Sequence, residues 1–187
     1  MKWLVAAVVI WVTFGLELGL RDALRLGSGD IGPSFVAVLA TYIALHAPPK
    51  TAQWAALVLG LLADLTWQLE RAGGGAAYTI GPTALGLWLG TRLVLAARGS
   101  LRRGHPLTLA AMTIAAAAVA QIVITSALSV RSIYGDELPW SPSAELWRRL
   151  MSAVYSGGLA LVLWVPLRLL ITPVIGFPAD RGRPRHG

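Results

Sequence analysis

The chain has 187 residues, 56% of them hydrophobic and only 13% charged, about half the charged share of an ordinary soluble domain. This balance places it among membrane proteins, and its net charge of +7 reads as basic residues held at a cytoplasmic membrane face, not as a nucleic-acid interface. It has no cysteine, which excludes disulfides and thiolate metal sites.

A bilayer core of about 30 Å takes about 20 mostly apolar residues per helix, and six stretches meet that need. The first, Trp3–Leu20, lacks a small-x-small cleavage site after it and carries Glu17 near its end, so it reads as a retained span and not as a signal peptide. The second is Ile31–Ala47, opened by "GDIGPS" and closed by "HAPPK". The third is Thr51–Leu69. The glycines of "RAGGGA" let the chain reverse tightly into the fourth, Ala76–Ala97, with Pro82 tolerated in its first turns. The fifth is the alanine-rich Leu107–Val130. The sixth, Leu150–Leu170, carries Pro166 as a kink near its end. Before it, Ser141 and Pro142 read as N-cap and first residue of an interfacial helix, with Glu145 and Arg149 paired one turn apart.

Six spans put both termini on one side. With the N-terminus in the cytoplasm, ten of the sixteen basic residues fall inside, among them those of "ARGSLRRGHP" and "DRGRPRHG", as the positive-inside rule requires. Trp3, Trp54 and Trp164 then lie near the inner interface and Trp67, Trp140 and Trp147 near the outer one. Trp11 and Trp88 sit deeper and read as packing residues. The expected fold is therefore all-α: six transmembrane helices in a single compact bundle over residues 1–177, with a disordered basic cytoplasmic tail over 178–187.

Glu17 and Asp64 reach a similar depth on two helices that both run outward. An acid inside a bilayer faces the bundle interior or a watery cavity. The pair could form a cation or proton site. Alternatively Asp64 accepts hydrogen bonds from a helix end or pairs with Arg71, Arg21 or Arg25; its depth near the outer rim favours this second reading. Ala56, Gly60, Asp64 and Gln68 fall four apart on one helical face, a contact surface of small then polar residues. Gly15 and Gly19 flank Glu17 at the same spacing, Gly86 and Gly90 repeat it in the fourth span, and Ser152 and Ser156 in the sixth. The fifth offers Ala115–Ala118, Ala120 and Gln121. Arg92 can snorkel to the inner interface, and His46 reads as an ordinary interfacial histidine. No HExxH, GxSxG or phosphate-binding GxxxxGK[ST] occurs, and no catalytic constellation, metal-ligand cluster or cofactor motif is visible.

The "GP" opening of span two, then "LGLLADL" and a glycine-rich turn into a further span, resemble the bacterial rod-shape-determining MreD family over about residues 31–95. The family-like residues are Pro33, Pro48, Gly60, Leu61, Asp64, Leu65 and the glycines before span four; "RAGGGAAYTIG" departs from the family's usual phrasing. The resemblance implies a non-enzymatic inner-membrane scaffold of the elongation complex (elongasome). It would bind MreC and work with MreB, RodA and the elongation-specific penicillin-binding transpeptidase in lateral peptidoglycan synthesis and cell shape. The family's fold is similar to that of the S-components of energy-coupling-factor vitamin transporters. A substrate-binding subunit of that kind is therefore the alternative, with Glu17, Asp64, Trp67, Gln68 and Tyr78 as a possible rim around a vitamin.

Overall fold

A computed structural model describes residues 3–21, 23–25, 31–66, 68–70, 76–78, 80–101, 104–133 and 141–171. They form α1 (Trp3–Leu20), α2 (Phe35–His46), α3 (Pro49–Thr66), a hairpin of β1 (Gln68–Glu70) and β2 (Ala76–Tyr78), α4 (Pro82–Ala97), α5 (Pro106–Ile133) and α6 (Pro142–Pro166). A π-helical turn, Leu167–Ile171, follows Pro166, where the ring removes one amide donor from the helix. Two stretches, Pro106–Arg131 and Ser143–Leu169, are long and apolar enough to cross a membrane. Arg71, the glycine-rich turn, the segment 134–140 and the basic tail lie outside the described residues.

Proline punctuates the chain. Four helices start on it, at Pro49, Pro82, Pro106 and Pro142, where its missing N–H has no helical partner to lose and its φ is already helical. Ahead of α2, Ser34 adopts an extended backbone, and its side chain accepts the N–H of Ala37. Ala47, held extended before Pro48, ends the same helix.

These boundaries correct three expectations. The second apolar stretch yields only the 12 helical residues of α2, about 18 Å at 1.5 Å per residue, too short for a 30 Å apolar core. Gln68 does not extend the stripe of Ala56, Gly60 and Asp64: it lies in β1, paired with Tyr78 of β2, so α3 ends early and α4 starts at Pro82, six residues after Ala76. The segment after Ser141 is no separate interfacial helix, since α6 runs unbroken from Pro142 to Pro166.

Helix α2 is the centre of the bundle. Every residue from Phe35 to Leu45 is buried, as a helix that is apolar all round must be, and α1, α3, α4, α5 and α6 all pack on it. Around it, α3–α4, α4–α5 and α5–α6 form consecutive antiparallel pairs brought close by glycine. A Cβ on Gly86 would stand 2.8 Å from Ala120 O, and one on Gly90 would press on Ala116. One on Gly60 would stand 2.7 Å from Ala84 N. Gly157 does the same service against Ile114 of α5. A Cβ on Gly15 or Gly19 would meet nothing within 4 Å, so that pair makes no close helix contact among the described residues. Trp11, expected as a packing residue, is 80% exposed beside them, because α1 rests chiefly on α2 and turns this face outward.

Both ends of α2 are buried, so their open backbone groups need partners. At its C-terminal end Arg98 Nη1 donates to Ala47 O at 2.8 Å and to Ala44 O at 3.3 Å, a cation where the helix dipole favours one. Arg98→Ala is expected to cost about 1.5–3 kcal/mol, the range for hydrogen bonds to a charged group. The loss should appear as an earlier unfolding midpoint in a denaturing-detergent titration, with Arg98→Lys intermediate.

Candidate functional site

The two acids singled out in the sequence meet at one end of the bundle and do the same work. Glu17 is 3% exposed and Asp64 5%. From α1, Glu17 Oε2 accepts the N–H of Phe35 at 2.6 Å and of Val36 at 3.2 Å, the first amides of α2. Its other oxygen lies 3.8 Å from Arg21 Nη1. From α3, Asp64 Oδ2 accepts the N–H of Gly81 at 2.8 Å and of Ala84 at 3.3 Å, and Oδ1 accepts that of Thr83 at 3.2 Å.

The sequence explains why a neighbouring helix must supply that cap. Gly81 occupies the N-cap of α4 with φ +119°, a conformation that favours glycine, and glycine brings no capping oxygen. Pro82 has no N–H. The donors left across this turn, Gly81, Thr83 and Ala84, all go to Asp64. A carboxylate there also sits at the positive end of the α4 dipole.

Serines complete the junction beneath α2. Ser34 N–H donates to Ser156 Oγ at 2.9 Å, Ser156 Oγ donates to Ser152 O at 2.8 Å, and Ser152 Oγ donates to Gly32 O. The four-residue spacing of Ser152 and Ser156, read in the sequence as a small-residue face, thus fastens α6 to the chain entering α2. Beside it Arg149 Nε donates to Glu145 Oε1 at 2.8 Å, the expected one-turn pair, and Arg149 Nη1 to Gln121 Oε1 of α5 at 3.1 Å.

These groups surround a cavity of about 100 Å³ lined by Glu17, Asp64, Gln121, Arg149, Ser152 and Ser156 together with apolar side chains of α1, α2, α4 and α5. Glu17, Asp64, Arg149 and the two serines already have partners within the chain. Among the described residues no three His, Asp or Glu side chains gather in a metal-binding group.

Of the other residues expected at the site, Ala56 and Gly60 sit on the α3 face that meets α4, and Gly86 and Gly90 on the α4 face that meets α5. The side chains of Trp67, Gln68 and Tyr78 lie outside the described residues. His46 stacks on Tyr42 at 4.3 Å, away from the cavity. Sequence reasoning missed the capping role of Arg98 and the serine chain; Ser34 directly after Pro33 was the available signal for the second. No protein-family model, curated protein or solved structure matches the chain.

Proposed function

We propose that this chain is a non-enzymatic, multi-pass scaffold of the bacterial cytoplasmic membrane, with six membrane-embedded helices and both termini cytoplasmic. In this reading it serves as an MreD-like subunit that binds MreC in the elongation complex. One observation carries the scaffold reading: the carboxylates inside the bundle are occupied by backbone amides of the chain itself. Glu17 fixes α1 to α2, and Asp64 fixes α3 to α4. A transporter or an acid–base enzyme keeps such groups for a solute or a proton; here they serve as joints. The membrane setting is supported by the outward faces of α1, α3, α4, α5 and α6, which carry exposed large apolar side chains such as Trp11, Trp54, Leu107 and Val162.

The cavity is the feature that favours the vitamin-capture alternative. Its volume of about 100 Å³ falls below the roughly 300–1,000 Å³ of drug-sized ligand sites and suits a few waters. Glu17, Asp64, Arg149, Ser152 and Ser156 around it already bond within the chain.

Co-expression with an MreC from the same genome, followed by purification in mild detergent, tests the reading. The pair is expected to co-purify. Asp64→Leu, which frees three amides at the start of α4, is expected to reduce the MreC recovered by about tenfold, equivalent to about 1.4 kcal/mol, at unchanged membrane insertion. Undiminished recovery would count against a role for this joint in assembly. Saturable stabilisation of the purified chain by a vitamin would replace the scaffold reading with capture.

A further inference from the structure

Several described arginines are held by the chain itself. Arg21, Arg148 and Arg149 each face a carboxylate, and Arg98 caps α2. Arg92 and Arg168 make no ion pair among the described residues; each guanidinium lies over the indole one turn before it, 5.2 Å from the Trp88 centroid and 5.1 Å from that of Trp164.

Depth separates these two. Gly86 opposes Ala120 and Gly90 opposes Ala116, so α4 and α5 run antiparallel and Arg92, two residues on, stands opposite Ile114. That is eight residues inside the Pro106 end of α5, about 12 Å at 1.5 Å per residue. The far end of the apolar stretch of α5, Arg131, lies further still in the other direction. Arg92 is thus well inside the apolar length of the bundle, on a face where Leu85, Leu89 and Leu93 are also exposed. Its guanidinium lies over Trp88, the indole one turn deeper along α4. Arg168 differs. Gly157 packs against Ala110 and Ile114, and eleven further residues carry α6 past the level of Pro106, where water and headgroups can serve a cation.

A guanidinium turned outward at mid-depth is costly in lipid, and Arg, unlike Lys, does not escape by deprotonating. We infer that the outward face of α4 around Trp88 and Arg92 docks a partner's membrane helix bearing an acidic residue near its middle. A carboxylate matches the guanidinium fork in bidentate geometry, and the flanking leucines supply packing. A second copy of this chain fits worse, since a symmetric contact would set Arg92 against Arg92. The inference rests on the membrane setting proposed above, but not on the identity of MreC as partner.

The test uses the full chain reconstituted in phosphatidylcholine vesicles with a host peptide, Lys-Lys, nine leucines, one central residue, nine leucines, Lys-Lys, whose centre is Glu, Gln or Leu. The chain contains no cysteine, so Leu89→Cys carries a single fluorophore beside Arg92, and energy transfer from labelled peptide reports docking. The Glu peptide is expected to bind about tenfold more tightly than the Leu peptide, within the range of interhelical polar contacts in lipid. Arg92→Leu should abolish that preference, and Arg168→Gln should leave it intact. Equal binding of the Glu and Leu peptides, or a preference that survives Arg92→Leu, would overturn the inference. So would disulfide-linked dimers of unlabelled Leu89→Cys forming as fast with the Glu peptide as without it, or a Glu preference that vanishes when phosphatidylglycerol is added. A chain released from vesicles by alkaline carbonate would overturn the membrane setting as well; one that stays embedded yet ignores the glutamate sinks this inference alone.

Discussion

Replacing Glu17 by leucine is expected to destabilise the folded chain by about 3–5 kcal/mol, the usual result of removing one partner from a buried charged cluster. The size follows from what the side chain leaves behind. Two buried amides, of Phe35 and Val36, lose their acceptor, and Arg21 loses the carboxylate beside it. Leucine fills similar space, so little of the loss comes from a void. Glu17→Gln keeps an acceptor oxygen over the amides and should lose only about 1–2 kcal/mol, the difference between charge-assisted and neutral hydrogen bonds. Denaturing-detergent titration of the purified variants, followed by circular dichroism, gives both values. Equal, small losses for Leu and Gln would show that α2 is held by packing alone.

The two carboxylate joints were unequally legible in the sequence. Asp64 stands just ahead of a turn, and its acceptors' donors lie only 17–20 residues on, so a bond across that turn could be anticipated. Glu17 could be placed at the right depth, but nothing local indicated that it caps α2, because its bonds cross the intervening Arg21–Ser34 segment. Arg98 reaches carbonyls 51 and 54 residues earlier; one-dimensional patterns count it only as a positive charge. The length of α2 was overestimated because apolar composition continues through Ile31 and Ala47, while Ser34 and Pro48 set the actual limits. The hairpin was hidden for a related reason: "RAGGGA" allows a tight reversal between helices as readily as it allows one between strands. Glycine spacing told least. Gly15–Gly19 and Gly86–Gly90 share one pattern, yet only the second meets a neighbouring backbone, and which helix face turns inward is decided by the other helices.

That contrast makes the glycines a sharp test of the packing. Gly60→Leu is expected to be the most damaging single substitution on α3, at more than about 3 kcal/mol, above the ordinary range for overpacking. A Cβ there would stand 2.7 Å from Ala84 N and 2.9 Å from Thr83 O, backbone atoms that cannot rotate away as a side chain could. Separating α3 from α4 would also draw the amides of Thr83 and Ala84 off Asp64, so steric and capping losses arrive together. Even Gly60→Ala should cost about 1–3 kcal/mol, although alanine favours helix. Gly15→Ala, with nothing within 4 Å of the added methyl, should change stability by no more than about 0.5 kcal/mol. The coupling can be measured as well. Because the two residues serve one junction, Gly60→Ala and Asp64→Asn combined should destabilise less than the sum of the single variants. Strict additivity in that cycle would mean that the α3–α4 contact and the Asp64 cap are independent, and that the small-residue stripe and the buried acid do not act as one joint.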